Sequence, residues 1–184
     1  MINQKLEITN MGYRELTVSN IFYLIMVIIV GSWRKEGLSK MAKVNIIYWS
    51  GTGNTAAMAA AIAEGVKEAG AEAELITAET ASVADVQDAK AIALGCPSMG
   101  AEQLEETIME PLMEELDGAI SGKTVVLFGS YGWGSGDWMR DWEDRVSSDG
   151  ASVWNGEGII ANNAPDDEAL ESCKSAGRDL AGLV

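Results

Sequence analysis

The sequence predicts an α/β domain of the doubly wound kind, a five-stranded parallel sheet with helices on both faces, over residues 41–184. Two observations predict it. Short apolar runs, as expected of strands buried on both faces, alternate with segments of helical period. A glycine-rich stretch also joins the first run directly to the first helix. Val44-Asn45-Ile46-Ile47-Tyr48-Trp49 reads as the first strand, after which Met58, Ile62, Val66 and Ala69 recur at helical spacing until Gly70 stops the helix. Residues 73–77, 91–96 and 124–129 are three further runs of the buried type, with helical or turn-rich segments between them. Asp137 is placed to cap a helix on which Trp138, Trp142 and Val146 share a face. Pro165-Asp166-Asp167 opens the last helix, where Leu170, Cys173, Gly177 and Leu180 align. Between these two helices, 151–154 and 158–161 read as halves of a fifth strand interrupted by Asn155-Gly156. In such a sheet ligands bind beyond the carboxyl ends of the strands.

Composition narrows the chemistry. A chain of 184 residues with 47% hydrophobic and 22% charged content has the makings of one core, large enough to hold a cofactor without disulfides or a structural metal. The net charge of -15 repels phosphate backbones and excludes a nucleic-acid partner, while favouring basic ones. There is no histidine, hence no imidazole base or imidazole metal ligand, which leaves the chemistry to a bound cofactor. Cys96 and Cys173 form no C-x-x-C pair, fit a reducing compartment such as the cytoplasm, and are both assigned to packing.

Residues 1–40 differ from the rest, holding five of the thirteen basic residues and only three acidic ones. Their apolar run, 21–30, is too short for the roughly 20 residues that cross a bilayer, and no compact basic region or A-x-A cleavage site makes it a secretory signal. No stable membrane insertion is expected. Met41 directly precedes the first strand, and Lys35-Glu36-Gly37 can be encoded by a purine-rich ribosome-binding sequence; residues 1–40 are therefore read as an extension that is not native or is disordered.

The first crossover carries the most specific motif. In Ser50-Gly51-Thr52-Gly53-Asn54-Thr55, backbone amides, three hydroxyls and a carboxamide converge at a helix N-terminus, an arrangement that binds anions. No lysine follows Gly53 as a Walker loop requires, and Ala56 stands where a G-x-G-x-x-G fingerprint needs glycine. What remains is a neutral cage suited to a terminal phosphate monoester.

Residues 48–55, Tyr-Trp-Ser-Gly-Thr-Gly-Asn-Thr, resemble the FMN phosphate loop of flavodoxins, specifically the short-chain kind of anaerobic bacteria. The resemblance extends over 41–184. Gly95-Cys96-Pro97-Ser98-Met99-Gly100 and Gly129-Ser130-Tyr131-Gly132-Trp133-Gly134 look like that family's two isoalloxazine loops, in order and at the ends of the third and fourth strands. The resemblance implies the strand order 2-1-3-4-5, FMN as cofactor and no catalytic residue of the protein's own. By it, Trp133 stacks on the outer flavin face, Met99 covers the other, and Glu102 accepts from the flavin N3–H. Glu105, Glu106 and Glu110 are read as solvated, and Trp49, Trp138 and Trp142 as core or its edge. Gly100 corresponds to the glycine whose peptide turns over on reduction to accept the new N5 proton, a move eased by the missing Cβ. If 99–102 then forms a type II turn, its third position is Ala101, where positive φ is unfavourable.

The function implied is a low-potential one-electron carrier that shuttles between semiquinone and hydroquinone and substitutes for ferredoxin. It would be a monomer, docking by the flavin edge with ferredoxin or flavodoxin reductases and ferredoxin-dependent oxidoreductases. An uncompensated phosphate and an acidic surface both oppose further reduction of the flavin, which makes a strong reductant. The alternative is an FMN-dependent NAD(P)H:quinone oxidoreductase on the same fold, disfavoured because no insertion supplies a nicotinamide pocket and no histidine supplies a proton relay.

Overall fold

Strand β1 (Lys43–Tyr48) lies second from one edge of a parallel sheet whose order is β2-β1-β3-β4-β5. The computed structural model describes residues 42–184, so the readings made for residues 1–40 and Met41 lie outside the described residues. In chain order β1 is followed by α1 (Asn54–Glu68), β2 (Glu72–Thr77), α2 (Ala84–Gln87), β3 (Ala91–Gly95), α3 (Met109–Leu116), β4 (Thr124–Tyr131), α4 (Asp137–Ser148), β5 (Ser152–Val153), a 3-10 turn (Trp154–Gly156), β6 (Ile159–Asn162) and α5 (Asp167–Ala181). The fifth strand is split as the sequence suggests: β5 and β6 both pair in parallel with β4, at Thr124↔Ser152 and Phe128↔Ile159. Asn155, at φ 58°, turns the chain between the halves.

Alternation along each strand sends apolar side chains to two cores. Val44, Ile46, Ala93, Val126 and Phe128 meet Met58, Ile62 and Val66 of α1 and Cys173, Ala176 and Leu180 of α5. Ile47, Ile92, Leu94, Val125 and Leu127 meet Met109, Met113 and Leu116 of α3 and Trp138, Trp142 and Val146 of α4 on the other face. The α1–α5 seam is tight at two glycines: a Cβ on Gly65 would lie 2.0 Å from the carbonyl oxygen of Lys174, and one on Gly177 would lie 2.1 Å from that of Ile62. Lys174–Glu64 and Arg178–Glu68 ion pairs flank it.

Two expectations need correction. Strand β2 is not buried on both faces; it is an edge strand on which Glu72, Glu74, Leu75 and Thr77 are exposed. Its neighbours in sequence are apolar enough to mimic a central strand, but only β1 pairs with it. Asp137 does not cap α4 either. It is the first helical residue, after Gly136 at φ 88°, and its carboxylate turns to Arg140. At α5 the expected cap is present, with Asp166 accepting from the Ala169 amide at 2.9 Å.

Candidate functional site

The loops after β1, β3 and β4 leave the same end of the sheet because the strands are parallel, and short contacts knit them together. The Trp49 amide donates to the Gly95 carbonyl at 2.9 Å, and the Ser98 amide to the Ser130 carbonyl at 2.9 Å. Thr55, almost wholly buried, places its hydroxyl 3.5 Å from that of Ser130. Close approach at the strand ends depends on Gly95 and Gly129, whose Cβ atoms would strike the Phe128 ring and the Cys96 carbonyl.

The first loop is built for an anion. The Ser50 hydroxyl accepts from the amides of Gly53 and Ala56, each at 3.2 Å, and so folds the loop back on the start of α1. Gly53 stands at φ 95° as the N-cap and offers no side-chain acceptor. The amides of Gly51, Thr52, Asn54 and Thr55 have no protein acceptor among the described residues. Gly51 and Thr52 are exposed, Asn54 half-buried and Thr55 buried, and unpaired amides at a helix N-terminus favour an anion such as a phosphate group. A Cβ on Gly51 would lie 2.9 Å from the Trp49 indole, which would have to shift to admit it. Pro97 and Ser98 are half-buried at the floor of the second loop.

The second loop folds as a short hairpin, with Met99 and Gln103 exchanging amide–carbonyl bonds at 2.8 and 2.9 Å. Inside it, positive φ falls at Gly100 (49°) and Glu102 (53°), not at Ala101. Met99 is 38% exposed. In the third loop, Tyr131 packs against Trp138 with ring centroids 5.4 Å apart, and the chain then runs through Gly132, Trp133 and Gly134. Trp133 is 65% exposed, where an indole has apolar surface to cover and no core to enter. Two exposed apolar side chains on neighbouring loops, at the same end of the sheet as the amide-rich first loop, are of the kind that can cover a planar ring carried on a phosphate, as in FMN.

The carboxylates sort themselves by backbone partners. Glu102 Oε1 accepts from the amides of Ser135 at 2.8 Å, Gly136 at 2.7 Å and Asp137 at 3.2 Å, while Oε2 has no protein donor among the described residues. Glu105, expected to be solvated, is instead buried and accepts from the Ile108 amide at 2.7 Å, the Met109 and Thr107 amides at 3.1 Å and the Thr107 hydroxyl. Burial pushes its pKa up, but these donors together outweigh that and hold it below the usual carboxylate range. It caps α3. Glu106 is exposed, and Glu110 pairs with Arg145 at 2.6 Å. Burial raises the Cys96 thiol to about 12, as a packing role requires. Cys96 also accepts the Trp138 indole N–H on its carbonyl at 3.3 Å. Trp138 and Trp142 are core residues and Trp49 is half-buried.

Two asparagines that the sequence reading did not single out brace the third loop. At the carboxyl end of β6 the Asn163 amide donates to the Tyr131 carbonyl at 2.7 Å, and the Asn162 carboxamide reaches the same oxygen at 3.4 Å. Both lie beyond residue 161, where the sequence reading ends the second half of the fifth strand.

Comparison with known proteins gives a consistent result. The family model described as Flavodoxin matches residues 46–177. The chain is 48% identical over 138 residues to a flavodoxin of Megasphaera elsdenii, covering 75% of this chain and 98% of that one. It is 44% identical over 140 residues to a flavodoxin of Clostridium beijerinckii, covering 76% of this chain and all of that one. Its fold is similar to the solution structure of two-electron reduced Megasphaera elsdenii flavodoxin, with a TM-score of 0.68 over 76% of this chain and 98% of that one.

Proposed function

The chain belongs to the flavodoxin family, and on that premise we propose that its three loops hold FMN in the manner their geometry suggests. The protein binds FMN and is an electron-transfer protein rather than an enzyme. Bound FMN supplies the redox chemistry; the chain binds, orients and screens it.

In this reading Ser50, Gly51, Thr52, Gly53, Asn54 and Thr55 receive the phosphate. Pro97, Ser98, Met99, Gly100, Ala101 and Glu102 line one side of the ring, and Ser130, Tyr131, Gly132, Trp133 and Gly134 the other. The observation that carries it is the pairing of the amide cage with the exposed side chains of Met99 and Trp133 on adjoining loops. Glu102 Oε2 is free to accept the N3–H while Oε1 stays on the backbone amides. The Gly100 peptide, in a left-handed turn, is free to reorient.

The redox partners proposed are reductases and ferredoxin-dependent oxidoreductases of the cytoplasm, met by a monomeric carrier at the flavin edge. The charge of -15 supports basic docking surfaces. Among the described residues no helix is long and apolar enough to cross a membrane.

Anaerobic stepwise reduction of the FMN-loaded protein tests the carrier reading. Two well-separated one-electron steps, the second at low potential, are expected. A single two-electron step, or quinone reduction by NAD(P)H with no added reductase, would reject it.

A further inference from the structure

Glu102 makes contacts that holding a flavin does not require. Its backbone stands at φ 53°, uncommon for a residue with a Cβ, and this turn aims its carboxylate across to the next loop. There Oε1 receives the first amides of α4, from Ser135, Gly136 and Asp137. Those amides have no local acceptor: Gly136, the N-cap, has no side chain, and Asp137 is turned to Arg140. Gly134, at φ 99°, leaves the carboxylate its space, since a Cβ there would lie 2.3 Å from Oε1.

We propose that Glu102 is a positioning residue that locks the Met99 loop to the Trp133 loop, fixing the gap between them before FMN arrives. The inference rests on the FMN reading for its purpose, but the lock itself is a property of the polypeptide. Helix α4 brings a partial positive charge to the carboxylate, and three amides on one oxygen hold it in a single geometry. The hairpin closed by Met99 and Gln103 is thereby tied at its tip to a twelve-residue helix that is anchored in the core by Trp138 and Trp142. Ordering both loops in advance removes part of the entropic cost of closing them on a ligand.

Amide hydrogen exchange in the FMN-free protein, followed residue by residue, provides the test. In Glu102→Ala the amides of Ser135, Gly136 and Asp137 are expected to exchange about tenfold faster or more. Across the gap, those of Met99 and Gln103 are expected to accelerate with them. Glu102→Gln retains a carbonyl acceptor and is expected to restore most of the protection at both loops. If the α4 amides accelerate while Met99 and Gln103 keep wild-type rates, Glu102 is a helix cap only and the lock is refuted. Unchanged exchange at all five amides refutes both. Failure of the wild-type protein to bind FMN would instead overturn the reading of the site, and leaves the exchange result standing on its own.

Discussion

Ala101 sits between two residues of positive φ and is itself spared that conformation in this structure. Turning the Gly100 peptide to face a protonated flavin would move the demand onto Ala101, at about 1–2 kcal/mol for a residue with a Cβ. Ala101→Gly is therefore expected to raise the potential of the first electron by about 40–80 mV in a redox titration, given about 59 mV per tenfold for one electron. Asp149 offers a pH test. Partial burial and the neighbouring Asp117 carboxylate raise its pKa, with Arg145 opposing, while the hydrogen bond from Arg145 lowers that of Asp117. A raised folded-state pKa means that the stability from Asp149 is present at acid pH and lost as pH rises through it. Asp149→Asn should accordingly raise the melting temperature at pH 7 and leave it unchanged near pH 3, where the carboxyl is already protonated. A melting temperature at pH 7 equal to wild type would show that the pair is not repulsive. The acidic residues were also where the sequence was hardest to read. Glu102 and Glu105 are both in a run of glutamates, and only the tertiary fold decides that each meets a helix N-terminus while Glu106 meets water.

At the scale of elements, the seam between α1 and α5 is closed by absent side chains. Gly65 and Gly177 lie inside helices, where alanine would normally stabilise by roughly 0.5–1 kcal/mol. Here the added methyl meets a carbonyl of the facing helix, so Gly177→Ala is expected to cost about 1–3 kcal/mol in urea unfolding. A stabilised variant would show that the helices can move apart freely. The strands and the split at Asn155-Gly156 were legible because apolar runs and glycine turns are local signals, whereas the strand order came from the family resemblance. The exposed character of β2 was not, since edge position depends on which strand pairs next to it. The cap of α4 was likewise hidden, because its acceptor comes from 33 to 35 residues earlier in the chain.

For the molecule as a whole, the excess of carboxylates sets how it meets partners. Screening at 0.15 M salt shortens the reach of charge to about 8 Å from about 30 Å at 0.01 M. Electron transfer to a basic partner is expected to slow by about tenfold across that range, and stopped-flow rates independent of salt would remove charge steering from the account. The loop at 50–55 was readable from its residues and the loops after β3 and β4 from their resemblance to the family's, whereas Asn162 and Asn163 were not, their strand being shortened by the break that precedes it. That break has a second effect. An unpaired strand edge exposes a row of amides and carbonyls on which a foreign strand can grow. On one side of this sheet the row is cut into two-residue and four-residue lengths by the turn at Trp154–Gly156. On the other it is lined by Glu72 and Glu74. Neither margin offers a long, uncharged template, so the sheet is guarded against edge-to-edge aggregation at both ends.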